Sequence, residues 1–242
     1  MTRDPATPPP LQPGTLYLIA TPIGNREDIT LRALRTLREC DVVAAEDTRH
    51  TGQLLKHFEI RKPLLSYYKF NEARRAEEII TRLREGHTVA LVTDAGSPGI
   101  SDPGERVVQA ALNAGLRVES VPGPCALIAA LTASGLPTHP FQFLGFLPLK
   151  SGARAKVLSG AVTYPGTIVL YESPHRMDRL LGELETHMPD RMTVIAREIT
   201  KRFEEFLRGT PAELRAACAN RTWKGELVVM AGPPGVSFQG RQ

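Results

Sequence analysis

At 242 residues, with 42% hydrophobic and 23% charged side chains, the chain is long and apolar enough for one large domain or two smaller ones, which excludes a disordered class. Its 30 basic against 26 acidic side chains leave a net charge of +4, mostly carried by arginine, which suits an RNA or phosphate-rich partner without requiring one. Cys40, Cys125 and Cys218 are far apart and form no CxxC pair, which argues against a disulfide framework or a zinc knuckle and for a reducing cytoplasm.

The first thirteen residues, MTRDPATPPPLQP, are proline-rich and lack the apolar core of a signal peptide, which predicts a flexible arm over 1–13. GTLYLIA (14–20) is a short buried strand closed by TPIGN. DITLRALRTLREC (28–40) sets Leu31, Leu34 and Leu37 on one face and Arg32, Arg35 and Arg38 on a neighbouring one, an amphipathic helix capped by Asp28 or Thr30. DVVAAED is a second strand and TRHTGQLLKHF a second helix. In NEARRAEEIITRLREG, Ala76, Ile79, Ile80 and Leu83 recur at helical spacing up to a stop at Gly86, with Asn71 the expected N-cap. TVALVT, the glycine-rich DAGSPGISDPG, the helix ERVVQAALNAG and the strand LRVESV complete a βα series, which predicts a mainly parallel sheet covered by helices.

At VPGPCALIAALTASGLP the pattern changes, and a Pro-Gly-Pro turn before a small-residue helix marks a hinge. Strands then crowd together in FQFLGF, GTIVLYES, MTVIARE, RFEEFLRG and GELVVMAG, with helices at PHRMDRLLGELETH and PAELRAACAN. That mixture predicts a mixed second sheet. The expected organisation is an N-terminal α/β domain over 14–122, a C-terminal α/β domain over 123–232 and a flexible tail over 233–242. No run approaches the ~20 apolar residues of a membrane span.

DAGSPGISDPG (Asp94 to Gly104) is the strongest local sign of a site. Its glycines lack the GxGxxG spacing of a dinucleotide fold, and the chain has no GxxxxGK phosphate loop. It nevertheless leaves the carboxyl end of a buried strand, where open α/β sheets take ligands, with Asp94 placed to meet a hydroxyl or an amine. The plain alternative is a tight connection with Asp102 capping the next helix. His50 and His57 lack a third ligand and read as surface residues, so no metal is expected, and no GxSxG elbow supports a serine triad. The Arg32, Arg35, Arg38 stripe is either a solvated helix face or a track for phosphates. YESPHR (171–176) ends a strand in a polar cluster, in which Ser173 is equally an N-cap before Pro174.

Six segments occur in fixed order: TPIGNREDITLRALRTLRECDVVAAEDTRHTGQLLKHF, DAGSPGISDPG, VPGPCALIAALTASGLP, YESPHR, AREITKRFEE and KGELVVMAG. Together they resemble the RsmI branch of the tetrapyrrole-methylase-like superfamily, the class III S-adenosylmethionine methyltransferases, over about Gly14 to Gly232. The resemblance implies two α/β domains with a cofactor cleft between them, a homodimer, and 2′-O-methylation of a cytidine in the decoding region of 16S ribosomal RNA. It places Asp94, Gly96 and Ser97 against the S-adenosylmethionine cofactor, Gly123 and Pro124 beside it from the hinge, and Tyr171 and Glu172 on it from the second domain. Ala196, Glu226 and Leu227 would complete the far wall, and Pro22 and Asn25 of TPIGN would face the substrate. Two departures stand out. Where many relatives carry HEHNE or HDHNE, this chain has YKFNE (68–72), so no histidine can act as base there, and many relatives extend further at the C-terminus with a small helical segment.

The implied reaction is an in-line displacement of a sulfonium methyl group by the ribose 2′-oxygen. Alignment can supply ~7–11 kcal/mol of its barrier, and a base or cation eases formation of the alkoxide. Glu46, Arg49, Asn71, Glu72 and Lys201 are the catalytic candidates, with the base left open among them. Arg32, Arg35, Arg49, Arg74, Arg75 and Lys201 are the candidates for RNA phosphates. The expected partners are 16S rRNA on the small ribosomal subunit and a second copy of the chain, with neither DNA nor a membrane. The alternatives are a tetrapyrrole methylase acting on a small molecule and a non-catalytic RNA-binding module on the same fold.

Overall fold

The computed structural model describes residues 9–238, and in it the chain divides after Pro124 into two compact units, each with its own sheet. Residues 1–8 of the expected arm and 239–242 of the expected tail lie outside the described residues. Of the remaining arm, the Pro9 carbonyl accepts from Arg35 Nη1 at 2.9 Å, and the Gln12 amide donates to the Tyr17 hydroxyl at 2.8 Å. Among the described residues no helix is long and apolar enough to cross a membrane.

In the first unit, β1 (Thr15–Ile19), β2 (Val42–Ala45), β3 (Leu64–Ser66), β4 (Val89–Val92) and β5 (Arg117–Val121) lie in the order β3-β2-β4-β1-β5, parallel at every pairing. Alternate residues feed two cores. Tyr17, Ile19, Val43 and Ala90 meet Ala33 and Leu37 of α1 (Leu31–Glu39) and Leu55 of α2 (Thr48–His57) on one face. Leu16, Ala44 and Leu91 meet Ile79 and Leu83 of α3 (Glu72–Arg84) and Val107 of α4 (Glu105–Asn113) on the other. The chain therefore leaves β1 and β2 toward one face and β4, which lies between them, toward the opposite face. Such divergence opens crevices at the carboxyl ends of the strands.

Local details settle the open choice at one cap and depart from expectation at two caps and one strand. Thr30, not Asp28, caps α1, its hydroxyl accepting from the Ala33 amide at 3.1 Å. Asn71 does not cap α3. Its Oδ1 accepts from the Tyr68 amide at 2.8 Å and its Nδ2 donates to the Ser66 carbonyl at 3.2 Å, so the side chain turns back to clip its own loop. The cap position of α4 is Gly104, a glycine, rather than Asp102. The three-residue edge strand β3 is too short to announce itself by alternation.

The second unit runs α5 (Ala126–Ser134), β6 (Phe141–Phe146), α6 (Ser151–Ala161), β7 (Thr167–Glu172), α7 (Met177–His187), β8 (Thr193–Arg197), β9 (Glu205–Gly209), α8 (Pro211–Ala217) and β10 (Leu227–Ala231). Its sheet order is β6-β7-β10-β8-β9, with the first pair parallel and the rest antiparallel, the mixed sheet expected. Leu158, Leu181, Leu184 and Leu214 of α6, α7 and α8 pack on Ile168, Leu170, Ile195 and Val229. Helix α5, outside that core, packs against β7, β8 and β10, and Arg208 donates to its last carbonyls, Ala133 and Ser134, at 3.0 Å each. A cation there complements the helix dipole.

Helix α6 is absent from the sequence reading because SGARAKVLSGA has no apolar stripe. Its buried face combines Leu158 and Ala161 with Arg154, whose side chain is 0% exposed. Both Arg154 terminal nitrogens reach Glu172 Oε2 at 3.1 Å, and Nη2 also reaches Glu183 Oε2 at 2.6 Å. Arg176 pairs with the other Glu172 oxygen at 2.5 Å. Arg191, also buried, donates to the carbonyls of Val162, Tyr164, Gly166 and Gly232.

Candidate active site at the carboxyl end of the first sheet

The loop after β4 is held from both sides. Asp94 Oδ1 accepts from the Asp47 amide at 3.1 Å, which ties it to the loop after β2. Gly96 exchanges backbone bonds with Thr21 at 3.0 and 2.9 Å, which ties it to TPIGN after β1. Ser97 Oγ donates to the Pro124 carbonyl at 3.2 Å. At φ +82° Gly96 occupies left-handed backbone that strains any larger residue. A Cβ on Gly123 would lie 3.0 Å from that of Ala20, so the hinge segment passes close against the end of β1. Asp94, Gly96, Ser97, Gly123 and Pro124 are thus gathered in one neighbourhood, with Pro22 directly after the Thr21 bridge. Asn25 accepts from the Glu27 amide at 3.1 Å and shapes the turn that closes TPIGN.

Beside this loop lies a cavity of about 660 Å³ whose lining includes Glu46, Lys69, Glu72, Gly104 and Arg106. Burial raises the Glu46 carboxyl above the ordinary glutamate range, and the Asp94 charge pushes the same way against a hydrogen bond from the Asp94 amide. Glu72 accepts from the hydroxyl of the buried Tyr67 at 3.2 Å. Arg49 does not enter this group: its side chain is 86% exposed and folds onto Asp47 at 2.7 and 3.1 Å, holding that carboxyl well below its usual range. Lys69 and Arg106 were not singled out from the sequence; Arg106 gave no local signal, while Lys69 sits inside the YKFNE departure.

In the second unit the Tyr171 hydroxyl accepts from the Leu127 amide at 3.1 Å, and its ring stands edge-on to Phe143 and Phe146. Glu172 lies beside it in β7, but both its carboxylate oxygens are taken up by Arg154, Arg176 and the Ser173 amide. Any contact it makes with a bound molecule falls to its backbone. Ala196 is buried in β8, and Leu227 opens β10 opposite Glu172. Lys201 Nζ sits 2.8 Å from both Glu198 and Glu226. Burial alone would lower its pKa, but the two carboxylates outweigh that and raise it, so the ammonium stays protonated and cannot serve as a base.

The arginine candidates are mostly matched internally. Arg32 pairs with Glu119, Arg35 with Glu39 at 3.2 Å, and Arg75 with Glu78 at 2.5 Å, while Arg74 is exposed. Arg32 is exposed and Arg35 and Arg75 are half-buried, and paired charges at such a surface are what a solvated helix face carries.

The family model for Tetrapyrrole (Corrin/Porphyrin) Methylases matches residues 15–215. Two relatives are similar over most of the chain, each named ribosomal RNA small subunit methyltransferase I. That of Xylella fastidiosa (strain Temecula1) is 51% identical over 90% of this chain and 81% of its own. That of Halalkalibacterium halodurans is 48% identical over 90% of this chain and 75% of its own. The chain belongs to the ribosomal RNA small subunit methyltransferase I family of tetrapyrrole methylases. The tetrapyrrole-methylase fold is also that of uroporphyrin-III C-methyl transferase from Thermus thermophilus, solved in complex with S-adenyl homocysteine, at TM-score 0.63 and 23% identity over 89% of this chain and 96% of that one. Membership of a tetrapyrrole methylase family accounts for the pairing of a parallel first sheet with a mixed second one.

Proposed function

We propose that the protein transfers the methyl group of S-adenosylmethionine to the 2′-oxygen of a cytidine in the decoding region of 16S ribosomal RNA, as a cytoplasmic homodimer acting on the small ribosomal subunit. The observation that carries this reading is the β4 loop, gripped by both neighbouring strands and set beside a carboxylate-lined cavity. The naming of relatives about half identical to this chain supports the same reading.

The residues suit the donor. Asp94 gives one carboxylate oxygen to the Asp47 amide and keeps the other for a hydroxyl or ammonium group, while Gly96 and Gly123 keep side chains out of the backbone around it. Ser97, Pro124, Tyr171 and the backbone of Glu172, Ala196, Glu226 and Leu227 complete the proposed contacts. When bound, the donor supplies a methyl group already activated for displacement.

Glu46 is the proposed general base. It lines the cavity, it touches the Asp94 turn, and its raised proton affinity favours taking a proton from a weakly acidic hydroxyl. Glu72 accepts a hydrogen bond from the ribose, and Pro22 and Asn25 bound the same side. Asn71 positions the loop that carries Lys69, and Lys201 keeps the Glu198 and Glu226 backbone in place. Arg74 and Lys69 contact phosphate, a sequence-independent contribution.

The test is direct. Labelled S-adenosylmethionine is incubated with the protein and small subunits from a strain lacking the modification, and the label is mapped. Label on a cytidine ribose is expected. Transfer to a porphyrinoid instead, or RNA binding without transfer, would overturn the proposal.

A further inference from the structure

The segment that departs from the family pattern has a surface as well as an anchor. Phe70 is 88% exposed and Tyr68 41%, and their rings meet edge to face at 6.3 Å. Neither ring serves the core: the neighbouring Tyr67 does, and is fully buried. The loop is nevertheless pinned. Asn71 binds the Tyr68 amide and the Ser66 carbonyl, the Asn71 amide returns to the Tyr68 carbonyl at 2.9 Å, and Tyr67 is tied to Glu72. A fixed loop that spends its order on displaying two aromatic rings has kept them for a flat partner. Lys69, between them in sequence, lines the cavity that also holds Glu46, Glu72 and Arg106.

We infer that Tyr68 and Phe70 form a stacking platform for an unpaired RNA base next to the target nucleotide, with Lys69 on the adjoining phosphate. This rests on RNA being the substrate. Aromatic faces accept any base without reading its sequence, and a cation beside them follows the backbone. The carboxylates deeper in the cavity suit hydroxyl and amino donors of the target nucleotide and repel its phosphates, so the phosphates stay at the Lys69 rim. A base held on the platform would keep the splayed nucleotide from restacking, which is the unfavourable part of taking a base out of a structured RNA.

The test uses the full chain, a single-stranded RNA oligomer carrying a fluorescent base analogue, and small subunits lacking the modification. Phe70→Ala is expected to weaken oligomer binding roughly tenfold, to abolish the quenching that stacking produces, and to raise KM for subunits while kcat stays within about twofold. Phe70→Trp should restore binding and quenching, and Phe70→Leu, apolar but not flat, should not. Donor affinity by calorimetry and the melting temperature should stay at the parent values in all three. Parent-like quenching in Phe70→Ala, or rescue by leucine, overturns the platform even if the parent methylates RNA. If the parent stacks the oligomer but leaves subunits unmethylated, the proposed reaction fails and the platform stands.

Discussion

Glu46 faces two opposed demands, because a carboxylate that takes a proton well is one that its surroundings hold poorly as an anion. Its raised proton affinity comes from burial and from the Asp94 charge. The acid limb of the rate profile should therefore lie above the ordinary glutamate range, with activity falling as the pH drops through it. Glu46→Gln should lower kcat by about a hundredfold or more and flatten that limb. The stability sign is the reverse. A carboxyl whose folded pKa is raised contributes stability below its unfolded pKa and loses it as the pH rises through the folded one. Urea titrations should accordingly show Glu46→Gln at least as stable as the parent at neutral pH; a clear loss there would argue that the anion is structurally required. Asp94→Ala and Gly96→Val should each abolish S-adenosylmethionine binding in calorimetry while circular dichroism stays native. Unchanged affinity would move the donor pocket elsewhere. The close backbone approach at Gly96 was legible in the sequence because a glycine-rich strand end has few physical uses. The true work of Asn71 was not, since the same residue type suits a helix cap and a loop clip, and only the fold decides which amide it meets.

Among the elements, those with a strong period were readable and those held by other means were not. Helix α3 shows its buried face in the spacing of Ala76, Ile79, Ile80 and Leu83. Helix α6 shows none, since its buried face joins Leu158 and Ala161 to a charge, and an arginine in a sequence is read as surface until its partners, 18 and 29 residues away, are found. Arg154→Met should cost ~3–5 kcal/mol, because it leaves the buried Glu172 Oε2 without its partners rather than because the pair itself is so favourable. Chemical denaturation measures this, and a double variant that also replaces Glu172 with Gln should recover much of the loss. If the double variant falls as far as the sum of the singles, the buried pair is not the reason.

For the molecule as a whole, the pattern of βα repeats followed by crowded strands forecast one parallel and one mixed sheet, because that distinction lies in the order of elements rather than in any one boundary. Each unit has its own hydrophobic core, and the single tryptophan, Trp223, is buried in the second. Its fluorescence therefore reports one unit, while far-ultraviolet circular dichroism reports both. The two probes should give non-coincident urea transitions, and Arg154→Met should shift the fluorescence midpoint the more strongly. Identical midpoints in parent and variant would mean the units unfold as one. The Arg154, Glu172 and Glu183 group also limits how this chain can drift. Any single exchange in it passes through a weakened protein, whereas exchanging the members together need not. Descendant sequences should thus keep all three or replace them in concert, and a helix with almost no hydrophobic signature should prove slower to change than the greasy ones around it.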